Sequence, residues 1–171
     1  MPYLFDYGCL APERMKEFVG DAEIVGGAIL QDHGLVFGGC SETYQGCAVA
    51  SAVSHKGKDV LGLVYRLRSE QMELLDIVME CHSLLRRVPA QVVDARDRVL
   101  SVYMYKLRCE HLPEDDDLGL PSPMYAYLHR KLVMEAYERF HTKRYPPERD
   151  SSPSGHRHRR RHRRRHRHRH H

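Results

Sequence analysis

The stretch from residue 3 to residue 10 contains residue types that could hold a small anion. Aromatic and branched side chains lead into the turn Tyr7-Gly8-Cys9-Leu10, and Pro12 then opens a predicted helix. Glycine permits a positive φ angle and a close approach of neighbouring groups. The backbone N–H groups of this turn can therefore converge, together with the helix N-terminus, on a carboxylate or a developing oxyanion. The alternative is a plain strand-to-helix turn, because a glycine turn alone is a weak signal.

Cysteine and metal chemistry receive less support from the sequence. Cys9 follows the glycine near a helix start, a position that lowers the pKa of a thiol. No histidine stands beside it as an obvious base, so we do not expect a nucleophilic role for Cys9. The histidines outside the C-terminal end show no zinc-type spacing, so we expect no metal site. These histidines are His33, His55, His82, His111, His129 and His141.

Length and composition favour one soluble domain, which we place at residues 1–149. The chain has 171 residues, enough to bury a core without disulfides or a structural metal. Its five cysteines form no C-x-x-C pair and we see no signal-peptide pattern, so we expect free thiols in a reducing compartment. The longest apolar runs are too short to cross a membrane. The sequence therefore predicts a cytoplasmic protein without membrane contact.

The C-terminal end differs from the rest of the chain in composition. Residues 150–155 form a predicted Ser/Pro linker, and residues 156–171 consist of nine arginines and seven histidines. Before residue 156, 18 basic side chains stand against 23 acidic ones, so that part has a formal charge of −5 while the whole chain has +4. A segment without apolar residues cannot pack against a core, so we expect residues 150–171 to be disordered.

We expect this basic tail to bind polyanions, RNA included, without sequence specificity. Arginine at such density neutralises phosphates and releases counterions, so the affinity falls steeply with salt. Removing residues 156–171 should therefore weaken binding to a single-stranded RNA and flatten its salt dependence. Fluorescence anisotropy between about 50 and 200 mM salt measures both effects. An unchanged affinity after truncation would end this assignment.

Hydrophobic periodicity and turn residues predict several short strands with helices inserted between them and added at the end. Such an order is typical of a compact α+β domain, here a small mixed β-barrel with flanking helices. Strands are predicted after the first one at residues 24–37, 47–53, 60–67, 86–93 and 99–107, with turns at 56–59 and 94–97.

Three helices are predicted from their start signals. One begins at Pro12, one follows Ser69 as N-cap, and one follows Ser122 with Pro123 at the first helical position. Met72 stands where a capping box after Ser69 needs Glu or Gln, so no box is expected. Residues 77–84 form an irregular link. The last helix has one face for packing, defined by Tyr125, Leu128, Leu132, Ala136 and Phe140.

The first turn and an ordered set of further motifs resemble the γ-glutamylcyclotransferase-like proteins. That family carries a Tyr-Gly-Ser/Thr-Leu turn directly after its first strand. The matching motifs here are Tyr7-Gly8-Cys9-Leu10, Leu30-Gln31-Asp32, Phe37-Gly38, Gly46 through Val49, Leu61-Gly62-Leu63-Val64-Tyr65, Leu74-Leu75-Asp76 and Pro121-Ser122-Pro123-Met124-Tyr125. They cover residues 3 to about 147. The Pro-Ser-Pro-x-Tyr ending is similar to that of the γ-glutamylcyclotransferases proper.

The resemblance implies a γ-glutamylcyclotransferase, which converts a γ-glutamyl amino acid or peptide to 5-oxoproline and a free amino acid. The α-amine of the substrate attacks its own γ-carbonyl, so the protein must move protons and stabilise an oxyanion. A carboxylate beside N–H donors is sufficient, and no cofactor is implied. The substrate-binding residues that the resemblance implies are Leu4, Phe5, Asp6, Tyr7, Gly8, Cys9, Leu10 and Tyr125.

The catalytic carboxylate is the point at which this sequence departs from the family pattern. The family has a glutamate three residues after its Leu-Asp pair, but the residue three places after Asp76 is Met79. Glu80 follows one place later. Because loops tolerate an added residue at little cost, we expect Glu80 to reach the hollow as the catalytic residue. Asp6 is a second candidate, and Asp76 more often fixes its own turn.

Further departures leave a second interpretation open. Cys9 replaces the usual Ser or Thr, Leu85 replaces an aromatic residue, and Asp6 replaces a small neutral residue. A buried Asp6 near the hollow is either a second carboxylate or repulsive to an anionic substrate. The alternative function is a non-catalytic member of the same fold that binds small molecules or acts as a scaffold. A homodimer is also compatible with the sequence.

Overall fold

The computed structural model describes residues 1–114 and 120–147. The predicted linker, the basic tail and the last two residues of the predicted domain lie outside the described residues. The strands are β1 (Tyr3–Asp6), β2 (Glu23–Ser41), β3 (Cys47–Arg66), β4 (Leu85–Asp94) and β5 (Val99–Leu107). The α-helices are α1 (Pro12–Val19), α2 (Ser69–Val78) and α3 (Pro123–Arg144), and a 3-10 helix spans Cys109–His111.

The five strands close into a barrel in the order β1-β3-β2-β4-β5. Neighbouring strands run antiparallel except β1 and β5, which run parallel and meet at Leu4 and Tyr103. This mixed barrel with helices around it confirms the predicted α+β fold. The short strand β1 lies between β3 and β5, and its residues Leu4 and Phe5 are fully buried. It therefore carries Asp6 and the turn that follows into the interior.

Strands β2 and β3 form a long hairpin, and its tip, residues 42–46, is a turn. The predicted turn at residues 56–59 is wrong, because β3 continues through these residues. Four residues of β3 lie there opposite Asp32 of β2, between the pairs Gln31–Asp59 and His33–Ser54. Gly57 adopts a φ of 83°, and its N–H donates to Oδ1 of Asp32 at 2.9 Å. The turn-like residues therefore form a bulge that bends the hairpin instead of reversing it.

The start of α2 differs by one residue from the predicted one. The N-cap is Arg68 rather than Ser69, and its backbone N–H donates to Oε1 of Gln71 at 3.0 Å. This contact is one of the two hydrogen bonds of a capping box. The prediction that α2 has no capping box was wrong because it took Ser69, one residue too late, as the N-cap. Helix α3 begins as predicted, with the Ser122 hydroxyl accepting from the Tyr125 N–H at 3.1 Å.

Helix α3 packs on β2 and β3 so closely that one position of β2 must be glycine. A Cβ atom on Gly27 would lie 2.3 Å from the Ala136 carbonyl oxygen and 2.7 Å from Cβ of Phe140. The Gly27→Ala variant should therefore lose about 3 kcal/mol of unfolding free energy, measured by urea denaturation. Gly34→Ala is the matched control, because its new Cβ would make an ordinary 3.4 Å contact with His55. Equal stability of the two variants would contradict this packing.

No helix within residues 1–114 and 120–147 is both long and apolar enough to span a membrane.

Candidate active site

Asp6 ends β1, and the turn after it closes around its carboxyl group. The backbone N–H of Leu10 donates to Oδ2 of Asp6 at 3.0 Å. Of the two properties that glycine offers, Gly8 does not use a positive φ. Glycine is needed there because neighbouring side chains approach its backbone closely. A Cβ atom at this position would lie 3.1 Å from the Tyr125 hydroxyl and 3.6 Å from Oδ1 of Asp6.

The Asp6 carboxyl is buried and forms no ion pair with any residue the structure describes. Burial raises its pKa from 3.8 to about 7, and hydrogen bonds from the N–H groups of Leu10 and Gly8 offset part of that rise. A carboxyl group with a pKa near 7 exists in both protonation states at neutral pH. Asp6 can therefore both accept and release a proton there.

The Asp6 side chain faces a small internal cavity of about 20 Å³. The residues around it are Asp6, Tyr7, Gly8, Tyr44, Val49, Ala50, Met79, Leu85, Tyr105 and Tyr125. Among these residues Asp6 supplies the only carboxyl group. A cavity of this size has room for about one water molecule.

Tyrosine hydroxyls provide the other polar groups of the cavity. The Tyr7 hydroxyl donates to the Tyr105 carbonyl and accepts from the Ala52 N–H, so it is fully engaged. The Tyr125 hydroxyl accepts from the Ala50 N–H at 3.0 Å, and that of Tyr44 is buried without a hydrogen bond to a described residue. Burial raises the pKa of Tyr44 and Tyr125 above the usual value, so both keep their protons. These two hydroxyls are possible donors to an oxyanion.

Glu80 binds the hairpin tip and does not line the cavity. Its Oε1 accepts from the Glu42 N–H at 2.9 Å, and its Oε2 accepts from the Ser41 hydroxyl. Beside this contact the Thr43 hydroxyl donates to the Val78 carbonyl at 2.8 Å. These bonds fix residues 41–43 of the hairpin to the turn that follows α2.

The end of α2 explains why Met79 faces the cavity in place of Glu80. Glu80 has a left-handed φ of 52°, its N–H donates to the Ile77 carbonyl at 3.0 Å, and the Cys81 N–H donates to the Asp76 carbonyl at 2.9 Å. This pair of bonds is typical of a helix C-terminus whose next residue is left-handed, a position that glycine usually takes. No residue is looped out, so the expectation that an added residue brings Glu80 to the hollow is wrong in this structure.

The predicted substrate-binding residues other than Cys9 divide into two groups. Asp6, Tyr7, Gly8 and Tyr125 come together at the cavity. Leu4, Phe5 and Leu10 are fully buried in the core and do not line it, although Leu10 contributes its backbone N–H to Asp6.

Cys9 is buried near the phenol groups of Tyr44 and Tyr125 and does not line the cavity. Burial raises the pKa of its thiol to about 12. The thiol is therefore protonated at neutral pH, which disfavours a nucleophilic role. Within the described parts of the chain no group of three or more His, Cys, Asp or Glu residues could hold a metal ion.

Sequence reasoning missed several residues that shape the cavity. Tyr44 comes from the hairpin tip, and its only sequence signal was a single aromatic residue in a glycine-punctuated loop. Tyr105 belongs to β5, and nothing in the pattern of that strand distinguishes it from the other strand residues. Asp76 lies outside the cavity, where it pairs with Arg87 at 3.1 Å and accepts from the Tyr105 hydroxyl at 2.8 Å.

Comparison of the sequence with models of known families shows the family of this chain. The sequence model of the family described as "Gamma-glutamyl cyclotransferase, AIG2-like" matches residues 4–127. The chain belongs to this family. No curated protein matches the sequence.

Several solved structures share the fold. One, named γ-glutamyl cyclotransferase, is 23% identical, with 80% of this chain and 79% of that chain covered and a TM-score of 0.65. An uncharacterised human protein is 24% identical, with 80% and 79% covered and a TM-score of 0.67. An Arabidopsis thaliana protein is 19% identical, with 86% and 95% covered and a TM-score of 0.54. The TM-scores show a common fold, and at identities of 24% or less the activity of this chain has to be tested directly.

Within the γ-glutamyl cyclotransferase family pattern, this member has a carboxyl group at the hollow but draws it from a different element. The position three residues after Asp76 carries the thioether of Met79, while the carboxyl group that lines the cavity is that of Asp6 at the end of β1. The site thus combines one carboxyl of raised pKa with two phenol hydroxyls.

Proposed function

We propose that the protein is a γ-glutamylcyclotransferase in which Asp6 performs the proton transfers. The reaction is the intramolecular aminolysis of a γ-glutamyl amino acid or peptide, which yields 5-oxoproline and a free amino acid. The observation that supports it best is the buried Asp6 carboxyl, which has a pKa of about 7 and lies beside two phenol groups. Family membership supports the reaction class.

Each group of the cavity has a role in this proposal. Asp6 takes a proton from the α-ammonium group of the substrate and returns one to the departing amine. The hydroxyls of Tyr44 and Tyr125 donate to the oxyanion that forms at the γ-carbonyl. Because the attack is intramolecular, the remaining task is to hold the γ-glutamyl group in a bent conformation.

The hairpin tip must move before a substrate can bind. The cavity of about 20 Å³ is far smaller than ordinary small-molecule pockets, which measure about 300 Å³ or more. Tyr44 on the tip forms one wall, and the tip is fixed to the α2 end by the bonds of Glu80 and Thr43. We assign Glu80 as the latch of this tip, a positioning residue that opens access when its bonds break.

A second candidate function is small-molecule binding without catalysis. Met79 at the family's glutamate position favours it. In that case the hairpin tip still opens to admit the ligand, but Asp6 transfers no proton to it.

Incubation of the purified chain with γ-glutamyl dipeptides and glutathione tests the two candidates. The proposal predicts 5-oxoproline and the free amino acid in equal amounts, quantified by mass spectrometry. Saturable binding of a γ-glutamyl compound with no 5-oxoproline would support the second candidate and contradict the first.

A further inference from the structure

Strands β2 and β4 separate soon after they meet, and an open groove lies between them. They pair only through Ala28–Asp94 and Ile29–Val93. Beyond these pairs β2 remains with β3, and β4 remains with β5. The groove measures about 560 Å³ and shares no lining residue with the Asp6 cavity. Its volume falls in the range of about 300–1,000 Å³ that is typical of small-molecule sites.

The floor of this β2–β4 groove is apolar. Leu30 of β2 and Met104 of β5 are buried there, and half-buried Val88 of β4 stands opposite Met104 in the strand register. Of these three side chains Val88 exposes the most apolar surface, since Leu30 and Met104 are each only 3% exposed. An alkyl chain that covers it would gain free energy in proportion to the apolar area removed from water.

Two cations stand at one end of the groove. Arg86 and Lys106 are directly opposite each other in the β4–β5 register, and both line the groove. Like charges in this position repel each other. Neither forms an ion pair with a residue of the described ranges, whereas the neighbouring Arg87 is paired with Asp76 at 3.1 Å.

The other polar groups of the groove do not neutralise these cations. Asp32 is the one acidic residue among the described residues that line it, and Oδ1 of Asp32 already accepts from the Gly57 N–H at 2.9 Å. Nδ1 of His33 is hydrogen-bonded to the Gln31 carbonyl at 2.7 Å. With two cations and one carboxylate, the groove has a net positive charge.

We propose that the groove binds a small organic anion, a carboxylate or phosphate ester on an apolar chain. The anionic group lies between Arg86 and Lys106, where it relieves their repulsion, and the chain covers Leu30, Val88 and Met104. An extended peptide that adds a strand fits less well, because Pro89 removes a backbone donor from β4. A bound anion with an apolar chain accounts both for the gap between β2 and β4 and for the two cations that face each other beside it.

Isothermal titration calorimetry with octanoate and octyl phosphate tests this site on the full chain. Both probes should bind the wild-type protein, while octanol and acetate, which lack the charge or the chain, should bind far more weakly. The Arg86→Gln/Lys106→Gln double variant should lose affinity by about tenfold or more. Arg130→Gln, on the exposed surface of α3, is the matched control and should bind as the wild type does. The ratio of the octanoate and octyl phosphate affinities identifies the preferred head group.

A second variant and a spectrum complete the test. Val88→Phe fills the groove without changing its charge and should weaken octanoate binding as well. Amide NMR shifts on adding octanoate should fall on β4, β5 and residues 30–33. No binding to the wild type, octanol binding as tight as octanoate binding, or unchanged affinity in the double variant would each overturn the proposal. Shifts confined to the Asp6 cavity would also overturn it.

Discussion

The Asp6→Asn variant is expected to release 5-oxoproline roughly 10²- to 10⁴-fold more slowly than the wild type, the usual contribution of a general acid–base group. The substitution keeps the size of the side chain, and the amide oxygen can still accept from the Leu10 N–H. What it removes is the group whose pKa lies at about 7. Steady-state 5-oxoproline release at pH 7 measures the loss.

Two further variants control for the assignment of proton transfer to Asp6: Glu80→Gln, and a double variant that restores a carboxyl group to the cavity at Met79. The glutamine can retain the bond from the Glu42 N–H, so any effect of Glu80→Gln should act through the hairpin tip on KM, while kcat stays near the wild-type value. Met79 lines the same cavity as Asp6, so the Asp6→Asn/Met79→Glu double variant should recover part of the lost rate. An inactive Glu80→Gln beside an active Asp6→Asn would instead make Glu80 the proton-transfer group.

The stability of the protein should also depend on pH through Asp6. Burial raises the Asp6 pKa from 3.8 to about 7, so the folded state holds this proton more tightly than the unfolded state. The stability this contributes is complete below pH 3.8 and is lost as the pH rises through 7. By linkage it amounts to about 3–4 kcal/mol between about pH 4 and pH 8.

Urea unfolding of wild type and Asp6→Asn over that pH range isolates this effect. The unfolding free energy of Asp6→Asn minus that of the wild type should increase by about 3–4 kcal/mol from about pH 4 to pH 8. Asp94, whose pKa is lowered chiefly by hydrogen bonds from the backbone and side chain of Arg98 despite partial burial, titrates in both proteins. His129, whose pKa is lowered by burial, does so too, and both contributions cancel. A pH-independent difference would mean that Asp6 titrates like an exposed aspartate.

Local patterns predicted those parts of the fold that local interactions determine. The two strands β4 and β5 were predicted to within a residue or so of their ends, and the start of α3 at Ser122 followed from its capping residues. The turn predicted at residues 56–59 was wrong for a tertiary reason. Gly57 and the flanking Lys56 and Lys58 favour a turn, but β2 pairs with β3 on both sides of this segment. No residue in that segment reports the pairing partner, so the sequence predicted a reversal where the strand bulges.

The candidate site was predictable where it depends on one contiguous motif. Asp6, Tyr7 and Gly8 lie on β1 and its turn, and Tyr125 follows a clear helix start. The position of Glu80 was not predictable in the same way, because a left-handed residue after α2 is usually glycine and a glutamate there gives no signal. Tyr44 reaches the cavity from a hairpin tip that is bonded to the end of α2, and a contact between elements so far apart in sequence leaves no local signal.

A ¹³C NMR titration of the Asp6 carboxyl carbon in the wild-type protein, assigned by its absence in Asp6→Asn, tests the central claim most directly. The structure predicts a midpoint at about pH 7 for this resonance, which makes Asp6 half-ionised under working conditions. A midpoint near 3.8 would mean that the carboxyl is permanently ionised at neutral pH, and it would contradict the proposed role of Asp6 in proton transfer.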